Sequence, residues 1–96
     1  MSKDPRQVVI RPVVTEKSFS LMEQNRYTFE VDKRSSKPEI ARAVAEIFGV
    51  TVRKVNTMNM RGKPRRVRWR KGLTRTWKKA IVTLAEGDTI DLYDAG

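Results

Sequence analysis

Between Glu46 and Glu86 the chain carries no acidic residue, yet it holds Arg53, Lys54, Arg61, Lys63, Arg65, Arg66, Arg68, Arg70, Lys71, Arg75, Lys78 and Lys79. Most of these crowd into Arg61–Lys79, which also contains Gly62, Pro64, Gly72, Trp69 and Trp77. The formal net charge of +10 is therefore built largely by one segment. A one-signed block repels itself in water and gains free energy when a polyanion neutralises it. Closely spaced guanidinium groups suit a phosphate backbone, because each can fork two hydrogen bonds onto phosphate oxygens. The plainer alternative is a solvated loop kept for solubility. Length, single sign and interleaved aromatic residues favour nucleic acid.

Other chemistries lack their residues. The chain has no Cys and no His, which removes disulfides, thiolate metal sites and most general-base and nucleophile constellations. The carboxylates are scattered, and none stands beside a Gly-rich phosphate loop, so an enzyme is not expected. No cofactor is called for. No apolar run reaches the length of a membrane span, and no signal-peptide core stands at the N-terminus. The reading is of a protein that works inside the cell without a membrane anchor. An anionic membrane surface would want a basic amphipathic helix, and the basic stretch holds too many helix breakers to form one.

The elements that must position the cations follow from the pattern. With 96 residues there is room for one domain and one modest core. Gln7–Ile10 reads as a short β-type run ended by Arg11-Pro12. Thr15 reads as a helix N-cap with Glu16 in the first turn, and Val14 and Phe19 have the spacing of a hydrophobic staple. That helix stops near Asn25. Tyr27, Phe29 and Val31 alternate with polar residues, as in a half-buried strand. Ser36-Lys37-Pro38-Glu39 fits a capping box, and Ile40, Ala43, Val44, Ile47 and Phe48 form an apolar stripe closed by Gly49.

Val50–Met60 is a long strand whose apolar phase slips, as a bulge or cover on both faces would cause. Lys79–Leu84 holds an unbroken apolar run, as a central strand buried on both sides would. Glu86-Gly87-Asp88 is a turn, and Thr89–Tyr93 reads as a closing extended piece. The fold class is therefore α+β: a single domain, residues 1–96, in the order β-α-β-α-β-β. Its four-stranded sheet is mixed but mostly antiparallel, with helices packed on it. A right-handed crossover sets Tyr27–Val31 parallel to Val50–Met60, with Lys79–Leu84 between them and antiparallel to both. The basic segment, Arg61 to Thr76, is a connection between the last two long strands, far longer than an ordinary hairpin loop.

Within it, Trp69 either covers the end of the sheet or stacks on an unpaired base, a contact worth about 1–3 kcal/mol. Trp77 reads as packing at the strand's start. Lys78 and Lys79 must face opposite sides of the sheet, so one of the pair is expected to reach nucleic acid. Met58 and Met60 read as core fillers. Glu16, from its spacing, does no more than balance the helix dipole, worth about 0.3–1 kcal/mol.

Four motifs in order carry a resemblance over nearly the whole chain. They are Arg11-Pro12-Val13-Val14-Thr15-Glu16-Lys17, then Lys37-Pro38-Glu39-Ile40, then Val55-Asn56-Thr57-Met58 running to Arg61-Gly62-Lys63, and Trp77-Lys78-Lys79-Ala80-Ile81-Val82-Thr83-Leu84. The chain resembles the bacterial large-subunit ribosomal protein twenty-three family, whose members sit at the peptide exit tunnel. The resemblance implies a cytoplasmic, ribosome-bound protein that contacts large-subunit ribosomal RNA and neighbouring large-subunit proteins. It also implies that the loop 61–76 reaches toward the tunnel, and that Glu16 docks the chaperone trigger factor. The signal recognition particle and the protein-translocation channel are further partners of such a surface. The competing reading is a free-standing single-strand RNA binder using its sheet face. An aromatic-rich strand would favour that reading, and Met58-Asn59-Met60-Arg61-Gly62 is not one.

Overall fold

Ser36 opens the longest helix. Its hydroxyl accepts from the Glu39 N–H while the Glu39 carboxylate accepts from the Ser36 N–H at 2.8 Å, the reciprocal box read from the sequence. The helix, α3, spans Lys37–Phe48 and ends at Gly49, whose φ of 65° is the left-handed conformation that spares glycine a Cβ clash. Ser36→Ala should cost about 1 kcal/mol. A thermal melt should show this as a fall of about 4–8 °C in a domain of this size.

The structure, a computed structural model, describes residues 4–61 and 76–91. In chain order its remaining elements are α1 (Pro5–Val8), β1 (Val9–Pro12), α2 (Glu16–Met22), β2 (Arg26–Val31), β3 (Val52–Arg61) and β4 (Thr76–Leu84). The sheet order is β1-β2-β4-β3, and every hydrogen-bonded pair is antiparallel. β2 and β3 run in the same direction but never touch, because β4 lies between them as expected. The slipping phase of β3 is a bulge: the register shifts between Val52 and Lys54.

Two local readings need correction. The first extended run begins later than its β-type residues suggest. The Asp4 carboxylate accepts from the Arg6 N–H, and Pro5 suits a first helical position, so Pro5–Val8 forms one helical turn before the strand starts at Val9. Pro12 ends that strand, β1, at the sheet's edge, where its missing N–H costs little. The closing piece read over Thr89–Tyr93 is described as far as Asp91 and adds no strand to the sheet, with Ile90 buried in the core and Asp88 accepting from the Thr51 N–H. Secondly, Val14 and Phe19 are 61% and 54% exposed, so the staple spacing brings no burial. α2 is fixed instead by a box of Thr15 and Ser18, each hydroxyl accepting from the other residue's N–H.

The core lies on one face of the sheet. Val8 of α1 and Ile40, Ala43 and Val44 of α3 cluster with Tyr27, Phe29, Val31, Val55, Ala80, Val82 and Leu84. Phe29 is fully buried, and its ring stacks on Phe48 with centroids 5.6 Å apart. Ile47 stands at the exposed rim of the α3 stripe. β4 is central: Ala80, Val82 and Leu84 are buried on its core side, whereas Ile81 and Thr83, on the other face, are half-buried.

Candidate nucleic-acid interface

Antiparallel partners share a face, so the pairing register sorts every strand residue to one side or the other. Tyr27, Phe29 and Val31 lie opposite Val82, Ala80 and Lys78, and Val55, Thr57 and Asn59 continue those rows on β3. This is the core side. The other side carries Arg26, Thr28 and Glu30 opposite Thr83, Ile81 and Lys79, with Lys54, Asn56, Met58 and Met60 completing the rows.

The lysine pair is thereby divided. Lys78 turns to the core side and donates from Nζ to the Ser35 carbonyl at 2.6 Å, which ties it to the loop before α3. Lys79 lies on the opposite face, between Glu30 and Met58 in register. Glu30 is buried there, and its carboxylate accepts from Arg11 Nε at 2.7 Å. Trp77 is packed down to 9% exposure, in keeping with a structural residue at the strand's start. Met58 and Met60 are not core fillers. They stand on the opposite face, Met58 39% exposed, because the bulge sets the later part of β3 with Val55 and Thr57 facing the core instead.

Arg53, Lys54 and Arg61 are exposed on β3. Lys63, Arg65, Arg66, Arg68, Trp69, Arg70, Lys71 and Arg75 lie outside the described residues. The basic segment leaves and rejoins the sheet at one end, where Arg61 pairs with Thr76 as the last described step of the β3–β4 ladder. Lys33 Nζ donates to Thr76 Oγ1 at 3.0 Å beside that step. Arg26 joins Lys54 and Lys79 on the opposite face, a cation missed in reading for site residues. Its signal was the alternation of β2, which sends Arg26 away from Tyr27 and Phe29.

Glu16 is exposed in the first turn of α2, flanked in sequence by exposed Thr15 and Lys17. Among the described residues no group of three or more acidic side chains could hold a metal ion, and no helix is long and apolar enough to cross a membrane.

Comparison with known proteins covers nearly the whole chain. The family model described as Ribosomal protein L23 matches residues 7–92. The chain is 56% identical over 91 residues to the large ribosomal subunit protein uL23 of Roseiflexus sp. (strain RS-1), covering 95% of this chain and 97% of that one. It is 54% identical over 92 residues to uL23 of Pelotomaculum thermopropionicum, covering 96% and 97%. With uL23 of Cutibacterium acnes it shares 52% over 91 residues, covering 95% and 89%. Matches of this extent leave no element of the sheet outside the alignment, and the chain belongs to the ribosomal protein L23 family.

Proposed function

We propose that this chain, a structural and non-enzymatic protein of the large ribosomal subunit, holds ribosomal RNA there near the peptide exit tunnel. The basic segment Arg61–Thr76 supplies most of the contacts, joined by Arg53, Lys54 and Lys79 on the strands that carry it. The observation that carries this reading is the Arg61–Thr76 step. It supports a segment gathered at one end of a folded sheet, where its cations can meet one RNA surface together. Neighbouring large-subunit proteins are the other partners. The test is co-sedimentation with large subunits through a moderate salt wash, followed by binding to isolated large-subunit RNA. Release of the protein at low salt, with no affinity for that RNA, would overturn the reading.

A second reading rests on a separate observation. Glu16 is exposed, and so are Val14 and Phe19 close to it in sequence, which together offer an anion beside apolar surface. This supports docking of trigger factor, and the same surface would suit the signal recognition particle or the translocation channel. A helix-dipole role alone predicts that Glu16→Gln costs a few tenths of a kcal/mol and leaves partners untouched. Docking predicts weaker chaperone binding to ribosomes carrying Glu16→Gln, with a difference that fades at high salt. The measurement is trigger-factor affinity for ribosomes with equal incorporation of the two proteins. Equal affinities would return Glu16 to the helix dipole.

A further inference from the structure

Five large apolar residues stay exposed on the described surface. Val14 and Phe19 stand near Glu16 in sequence, and Met58 stands on β3. Ile10 and Ile47, 54% and 38% exposed, line one groove of about 710 Å³. β1, an edge strand of the sheet, lines it from Val9 to Pro12, and the end of α3 adds Ile47 and Phe48. Thr89, Ile90 and Asp91 line it as well, so the last described residue stands at the groove. Two exposed cations, Arg6 and Arg11, complete the lining.

We propose that residues 92–96 cover this groove as a strap, with Leu92 and Tyr93 packed against Ile10, Ile47 and Phe48 and Asp94 set toward Arg6 and Arg11. The residues after Asp91 are Leu92, Tyr93, Asp94, Ala95 and Gly96. Two large apolar side chains and then an anion meet a groove that offers apolar walls and two arginines. In extended backbone, residues two apart share a side. Leu92 then follows Ile90, which is buried in the core, and Tyr93 follows Asp91; both predecessors line the groove. The strap is long enough. Its five residues reach up to about 17 Å when extended, and the four residues of β1 span about 13 Å.

Tethering favours this occupant over a free one. Leu92 is joined to Asp91 at the groove, and a short linker presents its cargo at an effective concentration in the millimolar range. A second copy of the chain would need about 800 Å² from each partner for a stable interface. Two exposed isoleucines beside two arginines fall well short of that. Covering the isoleucines with Leu92 and Tyr93 removes apolar surface from water on both sides of the contact, which stabilises the fold. It also ties the edge strand β1 to the end of α3.

The chain has no Cys, so engineered thiols report position without background. In the full chain, Ile10→Cys or Ile47→Cys is combined with Leu92→Cys or Tyr93→Cys, and Met58→Cys/Tyr93→Cys serves as the control. A disulfide needs Cα atoms within about 7 Å. Under mild oxidation at least one of the four pairs should close within the chain, at least about tenfold faster than the control. In the cysteine-free chain, Leu92→Ser/Tyr93→Ser should lower the melting temperature by at least about 5 °C. Asp94→Lys should lower it by less, and mainly at low salt, where its repulsion from Arg6 and Arg11 is unscreened. Closure of all four pairs no faster than the control would overturn the proposal. So would an unchanged melting temperature in the serine variant. Disulfides formed between two chains rather than within one would give the groove to a second copy and overturn it as well.

Discussion

Phe29→Ala is expected to remove about 3–5 kcal/mol of stability. That is most of what a domain of this size has to lose. The ring sits in β2, between β1 and β4, with Ala80 across from it in register and Phe48 stacked above. Ala80 is too small to fill the space left behind, and Phe48, at the end of α3, cannot follow without disturbing the packing of Ile40 and Val44 of the same helix on the sheet. Phe48→Ala, which the apolar stripe alone would rate as equally costly, should cost less because its ring is only half-buried. Urea denaturation of the two variants checks the order. A Phe48 variant less stable than the Phe29 variant would show that the helix, not the strand, holds the packing centre.

The second large effect is on RNA. Replacing Arg65, Arg66, Arg68 and Arg70 with Gln removes four cations from the acid-free segment while leaving both strands that bracket it unaltered. If the protein neutralises roughly six to ten phosphates, its affinity should fall steeply with salt, and each lost contact should flatten the log–log slope by somewhat under one unit. The four-fold variant should therefore be shallower by up to about 4, with its circular dichroism unchanged. An unchanged slope would move the RNA contacts off the segment and onto the strands and helices.

The sequence showed α2 and α3 because their end signals are local. Ser36, Glu39 and Gly49 mark the ends of α3 by their own hydrogen bonds and backbone angle. The central place of β4 followed from its unbroken apolar run. Side assignment was less legible, because it depends on a pairing register that a single strand does not carry. Met58 and Met60 looked like core residues until the bulge at Val52/Lys54 set the phase of β3. The alternation of Lys78 and Lys79 predicted that they divide, but not which goes where; the Ser35 carbonyl decides that, and it comes from a loop far away in sequence. The first turn of helix was missed because Asp4 acts as its cap in a segment whose later residues favour strand. Charge alone pointed to the cations of the basic segment. Arg26 stands apart from it in sequence and joins the opposite face only through the sheet.

The sheet order β1-β2-β4-β3 has a consequence for how the protein is made. β4 is the last strand to leave the ribosome that synthesises it, and it is the one that every other part of the sheet waits for. A chain that has emerged only as far as β3 holds a β1–β2 hairpin, α3 with an apolar stripe, and a strand with no neighbour to pair with. Two-stranded hairpins are marginal in water, so such a chain has nothing that would set it on its final course. Arg61 and the cations after it are translated before β4, and so meet any polyanion nearby while the sheet is still incomplete. Completion requires Thr76–Leu84 to take its place between the two strands, where it makes both ladders. Chains stopped before Thr76 should therefore fail to fold, whereas chains that run past Ile90 of the core should fold.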